Sequence, residues 1–237
     1  MVFTTSQNYS GTYNFAPSAG DLIITAFQRI RVRPTEILQS HLQQAIIELN
    51  LLQVKFSNLQ PNLWDVDLQA VPLTQGTATY SVPAETVMIT NAFIRTTPGV
   101  NTTQTDRLIF PISQTEYAAL PNKLVQAQPT QYWFNRQISP TITLYPVPDG
   151  NGPYTLYYYR VRQVQDALAA NGTNMEVPYL WLDAMAAGLA HRLARVYAPD
   201  LEDKRKMDAE EAWQIAARQN VENVPMYIAP GLLSYFD

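Results

Sequence analysis

The chain contains no cysteine among its 237 residues, which excludes disulfides, thiolate metal ligands and cysteine nucleophiles together. It has only two histidines, His41 and His191, so a zinc or iron site would depend largely on carboxylates. Glycines number nine, and no phosphate-binding glycine loop, nucleophile elbow or HExxH motif occurs. We therefore predict no catalytic residues, no cofactor site and no metal site, and we expect that the protein is not an enzyme.

Charge is scarce as well. Asp, Glu, Lys and Arg make up 15% of the chain, against about 25% in typical soluble domains. Interface cores are depleted of charge and enriched in aromatic residues, and this chain is 11% aromatic. Much of its surface is therefore expected to contact other protein. The net charge of −4 argues against dedicated nucleic-acid binding, because phosphate contacts need a basic surface.

Long apolar runs are also missing. No stretch approaches the length of a membrane span, and the opening residues lack the basic and apolar regions of a secretion signal. We expect neither membrane association nor export.

Apolar periodicity predicts two helices in the first sixty residues. Ser18 and Asp21 have the spacing of a capping box, and Pro34 ends the first helix. A second helix is predicted to start near Thr35. The predicted buried stripes are Leu22, Ile23, Ala26, Phe27 and Ile30 in the first helix, and Leu38, Leu42, Ala45, Leu49, Leu52 and Phe56 in the second. The opposite face of the second helix is rich in amides, and we expect either a neighbouring subunit or solvent to cover it. Its residues are Gln39, Ser40, Gln43, Gln44, Asn50 and Gln53.

Between Leu63 and Val164 the pattern changes to short alternating runs that are rich in Thr, Tyr and Pro. A short helix, capped by Ser113 and Glu116, interrupts them. The predicted strands are 63–73, 78–83, 87–96, 106–112, 129–137, 141–147 and 154–161. Short strands with turn signals at this spacing predict a sandwich or a small barrel.

The stretch TITLYPVPDGNGPYTLYYYRV, residues 141–161, predicts two strands around a turn, because its apolar residues alternate and its turn residues tolerate positive φ. Pro146 and Pro148 predict that the first of these is an edge strand. Three successive tyrosines at 157–159 place large rings on both faces of the sheet.

Helical periodicity returns at Pro178 and predicts two further helices. The first has the apolar stripe Leu182, Met185, Leu189, Leu193 and Val196, beside the small residues Ala184, Ala187, Gly188 and Ala194. Such small residues let another helix approach closely. The last helix is predicted to bury Ala209, Ala212, Trp213 and Ala216.

The predicted fold class is α+β. Two amino-terminal and two carboxy-terminal helices form an antiparallel helix bundle, with an inserted β-sandwich or small barrel and extended termini. In domain terms, residues 1–17 are an extended arm, 18–60 and 176–222 the helical bundle, 61–175 the inserted β domain, and 223–237 an apolar tail.

Four local patterns carry weak chemical signals. Asp65 and Asp67 are two residues apart and form either a carboxylate pair or, as we favour, two solvent-facing residues of a strand. For His41 we favour an interface or capped-core position, and for His191 a structural role. The arginines at 29, 31 and 33 are suited to a phosphate, an acidic partner or the dipole of their own helix.

The segment FPISQTEYAALPNKLVQAQPTQYWF, followed by LYPVPDG and YTLYYYR, resembles the head-to-tail adaptor family of short-tailed bacteriophages. These proteins are also called tail accessory factors or packaged-DNA stabilisation proteins. The resemblance rests on Ser113 with Tyr117, on Lys123, on the strand 129–132 and on the hairpin motif 145–149. The segments EILQSHLQQAIIELNLLQ and VPYLWLDAMAAGLAHRLARVYAP resemble the family's second and third helices, and the likeness covers most of residues 20–220.

The resemblance implies a structural virion protein that forms a ring, dodecameric to match the portal. Such a ring would connect the portal to the tail nozzle or tube, and help retain and pass packaged DNA in genome packaging and genome ejection. An acidic channel would let DNA slide through without sequence recognition. The expected location is the head–tail junction of the virion, after assembly in the host cytoplasm.

Two sets of residues are candidate contacts. Gln43, Gln44, Tyr145, Tyr157 and Tyr159 are predicted to contact a neighbouring subunit or the nozzle. The apolar tail is the candidate portal-docking element, or alternatively packs on its own bundle or on an adjacent subunit. Its candidate residues are Tyr227, Ile228, Leu232, Leu233, Tyr235 and Phe236.

The sequence is also compatible with two other classes of function. A tail-associated carbohydrate-binding or cell-wall-hydrolysing protein would stack sugars on Trp64 and Trp133, with Asp65 and Asp67 as its carboxylates. A β-rich binding module without a role in assembly is the other.

Overall fold

Five α-helices and seven β-strands make up the described part of the chain. The computed structural model describes residues 12, 15–60, 63–100, 102–168 and 174–221. The helices are α1 (Ala19–Arg29), α2 (Gln39–Leu59), α3 (Gln114–Ala119), α4 (Leu182–Tyr197) and α5 (Glu202–Ala217). The strands are β1 (Val66–Pro72), β2 (Thr79–Ser81), β3 (Thr86–Thr96), β4 (Thr105–Pro111), β5 (Gln131–Asn135), β6 (Thr141–Tyr145) and β7 (Tyr154–Arg162). The protein is therefore α+β, as predicted.

Helix α1 begins at the predicted capping box. The Ser18 hydroxyl accepts a hydrogen bond from the Asp21 amide at 3.2 Å, and the Asp21 carboxylate accepts one from the Ser18 amide at 3.0 Å. This reciprocal pair satisfies backbone donors that the first helical turn leaves free. All five residues of the predicted stripe are buried, and the prediction is confirmed. Ser113 and Glu116 cap α3 in the same way.

Helix α2 begins at Gln39, four residues later than predicted, because residues Pro34–Glu36 form a separate 3-10 turn. Leu38 is the N-cap, its side chain is 62% exposed, and its place in the predicted stripe was wrong. The His41 ring fixes this start, since its Nδ1 accepts the Leu38 N–H at 3.3 Å. Leu42 is half-buried against the core, and the later members of the stripe are buried as predicted, namely Ala45, Leu49, Leu52 and Phe56.

Helix α4 packs against α1, α2 and α5. The predicted small-residue flank is confirmed: a Cβ on Gly188 would lie 2.9 Å from Cδ2 of Leu52 on α2. Arg29 on α1 contacts Asp183 at 2.6 Å, and Arg192 on α4 contacts Glu48 at 2.9 Å. Val196 is exposed, contrary to prediction, because it lies on the outer side of the last turn of α4, whereas the adjacent Tyr197 and Ala198 pack on the helical core.

The seven strands form one curled, mixed sheet, a half-barrel, in the order β1-β7-β3-β4-β5-β6-β2. Strands β4 and β5 run parallel, and the other neighbouring pairs are antiparallel. The concave side of such a sheet must be filled with side chains. The buried residues of this second core are Val82, Ala92, Ile94, Ile109, Tyr132, Ile142, Leu144, Tyr154, Leu156 and Tyr158. The division of the chain into domains stays a prediction.

The predicted pairing within residues 141–161 was wrong, because β6 and β7 do not pair with each other. Strand β6 lies between β5 and β2, and is therefore not an edge strand either. The segment between β1 and β2 separates β6 from β7. The Leu73 amide donates to the carbonyl of Tyr154, and the Gly76 amide donates to the carbonyl of Pro148.

The close approach of α4 to α2 can be tested at Gly188. Gly188→Val places a branched side chain against the buried Leu52, and we expect a loss of about 1–3 kcal/mol in the free energy of unfolding. Gly188→Ala should cost less, because alanine is about 1 kcal/mol better than glycine in a helix and adds a single methyl group. Urea unfolding followed by circular dichroism measures both. Equal stability of the Val variant and the unmodified protein would contradict the close approach.

Candidate functional site

The outer side of the sheet carries a continuous row of apolar and aromatic side chains. We call it the aromatic face and define it as Leu68, Phe93, Leu108, Phe110, Tyr157 and Tyr159. The strand register makes its members cross-strand neighbours: Leu68 lies opposite Tyr159, and Phe93 lies opposite both Tyr157 and Leu108. Because side chains alternate along a strand, these residues project away from the buried core of the sheet.

A stacked group of rings lies at the centre of the aromatic face. The rings of Phe93 and Tyr157 are almost parallel, with centroids 5.2 Å apart and planes at 5°. The guanidinium carbon of Arg95 lies 4.5 Å from the centroid of the Tyr157 ring. Arg95 also donates two hydrogen bonds to the carboxylate of Asp106, at 2.8 and 2.7 Å. The rings and the ion pair are therefore in direct contact with one another.

The ion pair of Arg95 and Asp106 fixes the charge of both groups. The hydrogen bonds from Arg95 hold the pKa of the Asp106 carboxyl below its usual value, and those bonds also raise the pKa of Arg95. Since each charge is neutralised by its partner, the middle of the aromatic face has no unpaired charge within the described chain. A neighbouring protein can cover such a surface without desolvating an isolated ion.

The rim of the aromatic face is apolar and open. Leu108 is 62% exposed and Phe110 is 66% exposed, and Leu68 and Tyr159 are also exposed. Burial of apolar surface contributes about 25 cal/mol for each Å² removed from water. Contiguous exposed apolar surface on a soluble protein is characteristic of an interaction site.

The predicted contact residues lie at different places. Tyr157 and Tyr159 belong to the aromatic face. Tyr145, at the end of β6, is half-buried and lies opposite Gln131 of β5. On α2, Gln43 is exposed, and Gln44 donates to the Glu48 carboxylate at 3.3 Å. Their role as subunit contacts stays a prediction.

A second apolar surface lies on α2 and was not predicted. Ile47, Leu51 and Val54 are exposed and follow one another at helical spacing, and we call them the α2 face. Conversely, Gln53 of the predicted amide face is buried. Asn50 of that face exchanges two hydrogen bonds with the backbone of Ala167. The spacing of 47, 51 and 54 is visible in the sequence, but the stronger stripe through Leu49 and Leu52 conceals it.

Arg160 is the buried centre of an ionic cluster at one end of the sheet, and the side chains of its partners Asp67 and Glu85 are 34% and 49% exposed. Its side chain is 5% exposed, and it donates to both carboxylate oxygens of Asp67, at 2.7 and 3.1 Å. It also donates to Glu85 at 3.1 Å and to the hydroxyl of Thr86 at 2.9 Å. The hydrogen bonds from Arg160 lower the pKa of the Asp67 carboxyl. Buried charges are stable only when they are paired in this way.

The expectation that Asp65 and Asp67 both face solvent was therefore wrong. Asp65 is buried in the 3-10 turn that precedes β1, and Asp67 is bound to Arg160. The reason is that a buried arginine needs a carboxylate partner on the neighbouring strand. The two aspartates therefore do not form an exposed carboxylate pair.

The remaining candidates for a chemical role, His41, His191 and Arg29, are engaged in packing or ion-pair contacts within the fold. The His41 ring packs against Phe27 and Tyr197 with ring centroids 6.1 and 4.9 Å away. His191 is buried, and burial and then the nearby Arg195 lower its pKa. Arg29 is held by Asp183. Over the described ranges, no cluster of three or more His, Cys, Asp and Glu residues is placed to hold a metal ion.

The two tryptophans of the carbohydrate hypothesis do not share a groove. Trp64 packs against Trp181 of the helical core, with ring centroids 5.1 Å apart. Trp133 is on β5 and stacks on Tyr117 of α3 at 5.4 Å. The candidate portal-docking residues, from Tyr227 to Phe236, lie outside the described residues. No described helix is long and apolar enough to cross a membrane.

The described part of this charge-poor chain leaves two apolar surfaces exposed, a feature typical of proteins that assemble with others. A family model described as SU10 adaptor protein matches residues 17–226. The chain therefore belongs to this family of phage head–tail adaptor proteins, and the suspected family is confirmed. Membership makes the chain a structural bacteriophage protein and a virion component that associates with portal and tail proteins. No curated protein matches the chain.

The ionic cluster generates a prediction about stability. Asp67→Asn leaves donors of the buried Arg160 without their carboxylate, and we expect a loss of about 1–3 kcal/mol in the free energy of unfolding at pH 7. Asp106→Asn is the matched control, because Asp106 also binds an arginine through two hydrogen bonds, but that arginine, Arg95, has a side chain 26% exposed, against 5% for Arg160. Its loss should be smaller. Urea unfolding at pH 7 measures both losses.

The contribution of Asp67 to stability should also depend on pH. The folded-state pKa of Asp67 lies below its ordinary value of 3.8, so its contribution to stability is complete above the ordinary value and disappears as pH falls through the folded-state value. The stability difference between the unmodified protein and Asp67→Asn should therefore shrink below pH 3.8. A difference that stays constant from neutral to acid pH would show that the carboxylate charge is not responsible.

Proposed function

We propose that this chain forms a ring, dodecameric to match a portal, that connects the portal to the tail nozzle or tube. The observation that carries the proposal is the aromatic face, which leaves Leu108 and Phe110 in water in a single subunit. Membership of the phage adaptor family supports the head–tail location. The predicted assembly of the ring in the host cytoplasm is part of the proposal.

A closed ring needs two different and complementary surfaces on each subunit, because each copy meets one neighbour on either side. The aromatic face on the sheet and the α2 face of Ile47, Leu51 and Val54 are two such surfaces, and they belong to different elements. We assign them to the two sides of the lateral contact. Gln43 and Gln44 are one turn before Ile47 and would lie at the border of this contact.

In the proposed ring, packaged DNA passes through a central channel without sequence recognition. Each copy carries a net charge of −4, so the ring as a whole is acidic and repels phosphate. Such a channel favours sliding over binding and would help retain and pass the genome without gripping it.

The apolar tail extends the proposal towards the portal. Tyr227, Ile228, Leu232, Leu233, Tyr235 and Phe236 would bury their side chains in an apolar portal groove.

The ring proposal predicts a change of mass. Native mass spectrometry of the protein alone and mixed with purified portal rings should show a complex that contains twelve copies of this chain for each portal ring. A chain that stays monomeric in the presence of portal rings would overturn the proposal. The carbohydrate alternative predicts instead that the monomer binds cell-wall fragments, which a pull-down with purified cell wall measures.

Single substitutions test the two assigned surfaces. Leu108→Glu on the aromatic face and Leu51→Glu on the α2 face each place a charge in the proposed contact, and each should abolish the complex without unfolding the subunit. Ile138→Glu is the control, because Ile138 is almost fully exposed and belongs to neither surface. Native mass spectrometry reports the complex, and circular dichroism reports the fold. Intact complexes with both charged variants would refute the assignment.

Removal of residues 223–237 tests the tail. If the tail docks on the portal, the shortened chain should lose most of its affinity for portal rings but keep its own fold. Surface plasmon resonance on immobilised portal rings measures this affinity, and the full-length chain is the control. Unchanged affinity would end the proposal that the tail docks there.

A further inference from the structure

Helices α2, α4 and α5 border a groove of about 430 Å³. Its apolar lining consists of Leu52, Phe56, Leu59, Gly188, Ala209 and Trp213. The volume is within the range of about 300–1,000 Å³ in which binding sites are found. The groove is separate from the aromatic face and from the α2 face, since none of its lining residues belongs to either.

The rim of the groove is basic. Lys55, Arg192, Arg195 and Lys206 line it, with His191 beneath them and Glu210 as the acidic member. Arg192 is bound to Glu48 at 2.9 Å, and Arg195 to Glu202 at 3.2 Å. Lys55 and Lys206 form no ion pair within the described chain, so their charges are available to an acidic ligand. The pKa of His191 is lowered by burial, which favours its neutral form.

The ring of Trp213 adds a specific requirement for an acceptor. Its Nε1 is buried and has no hydrogen-bond partner in the structure. Buried N–H groups are almost always paired, and an acceptor from solvent or from another segment of the chain would complete this one. A backbone carbonyl laid along this side of α5 provides such an acceptor, together with the apolar contact that the lining offers.

We propose that, in the free subunit, this groove binds the chain's own carboxy-terminal segment, residues 222–237. The segment follows closely after α5, the helix that supplies Trp213, Ala209 and Lys206 to the groove. Sixteen residues reach at most roughly 53 Å when extended, whereas the sixteen residues of α5 span about 24 Å. The segment is therefore long enough to return along the whole of α5.

The composition of the segment matches the groove. It carries two acids, Glu222 and Asp237, and no lysine, arginine or histidine, so its charge is opposite to that of the rim. Its aromatic and aliphatic side chains are suited to the apolar lining, and two prolines oppose a continuous helix. Since the segment is tethered next to the groove, its effective concentration there is in the millimolar range, which favours its own groove over that of another copy.

This inference does not rest on the proposed function, since it concerns the subunit before assembly. The inference assigns a role to the groove. The groove covers an apolar segment that would otherwise be exposed to water until a partner binds that segment. Portal binding can fail while the segment still lies in the groove, and the reverse is also possible, so the two proposals are tested separately.

The absence of cysteine makes a crosslinking test clean. Glu210→Cys in the groove is combined with Ser234→Cys in the segment, and the full-length protein is oxidised at low concentration. The control pair is Met207→Cys with Ser234→Cys, because Met207 is exposed on the same helix but does not line the groove. We expect the groove pair to form an intramolecular disulfide at least about tenfold faster than the control pair. Non-reducing gels and peptide mass spectrometry measure the product.

Further variants make each outcome decisive. Lys55→Glu with Lys206→Glu, added to the groove pair, should slow the crosslink, since it reverses the free charges of the rim. If Glu210→Cys disturbs the fold, Lys55→Cys serves as the groove position instead. Equal rates for the groove and control pairs would overturn the proposal. Crosslinks between two chains would overturn it too, because they assign the groove to the segment of another copy.

Discussion

Strand β7 imposes the constraint on which the rest of the sheet depends. It is hydrogen-bonded to β1 along one edge and to β3 along the other, so it cannot shift without breaking both ladders. Since successive side chains alternate, this pairing fixes Leu156, Tyr158 and Arg160 on the inner side and Tyr157 and Tyr159 on the outer side. A slip of one residue would place the buried side chains in water. The core of the sheet and its aromatic face are consequences of one register.

Arg160 ties this register to specific partners. Asp67 lies directly opposite it on β1, and Glu85 and Thr86 approach from the start of β3. A displaced register would separate the guanidinium from Asp67 and leave a buried charge uncompensated, which is much more costly than the loss of an exposed ion pair. The cluster thus contributes to the choice of one pairing, in addition to whatever it contributes to stability. The polar residues that bind Arg160 therefore help to define the sheet, as the tyrosines of β7 do.

The features of the fold that depend on residues close together in the sequence could be predicted. Capping boxes and apolar spacing identified the helices, alternation identified all seven strands, and the side-chain pattern of β7 placed Tyr157 and Tyr159 outside. Strand order could not be predicted in this way, because Asp67 and its partner Arg160 are 93 residues apart. The turn signals at residues 149–152 mark a turn, but the strands on either side of it, β6 and β7, pair with different neighbours. Their partners are set by long-range contacts that leave no local pattern.

The candidate surfaces, too, could be predicted only as far as they depend on local sequence patterns. The outward tyrosines follow from alternation, whereas Leu108 and Phe110 become part of the same face only because β4 lies next to β3. The α2 face was missed because amides were taken as the mark of the outer side of that helix, although Asn50 and Gln53 face inward. Composition predicted that a surface would be covered by other protein, and the fold supplies two exposed apolar surfaces as candidates.

The scarcity of charge has a consequence for how such surfaces associate. Ion pairs within the described chain already engage most of its arginines, at positions 29, 95, 160, 162, 192, 195 and 205. Little charge is left to steer two copies together over a distance or to reject a wrong orientation. In the proposed ring, recognition between copies would therefore rest on the fit of stacked rings and aliphatic side chains at short range. Contacts of this kind form slowly between freely diffusing subunits, but they are strongly favoured when a symmetric template holds the copies side by side. In the proposed assembly a portal ring would be such a template, which gives a physical reason why a chain of this composition would assemble on one.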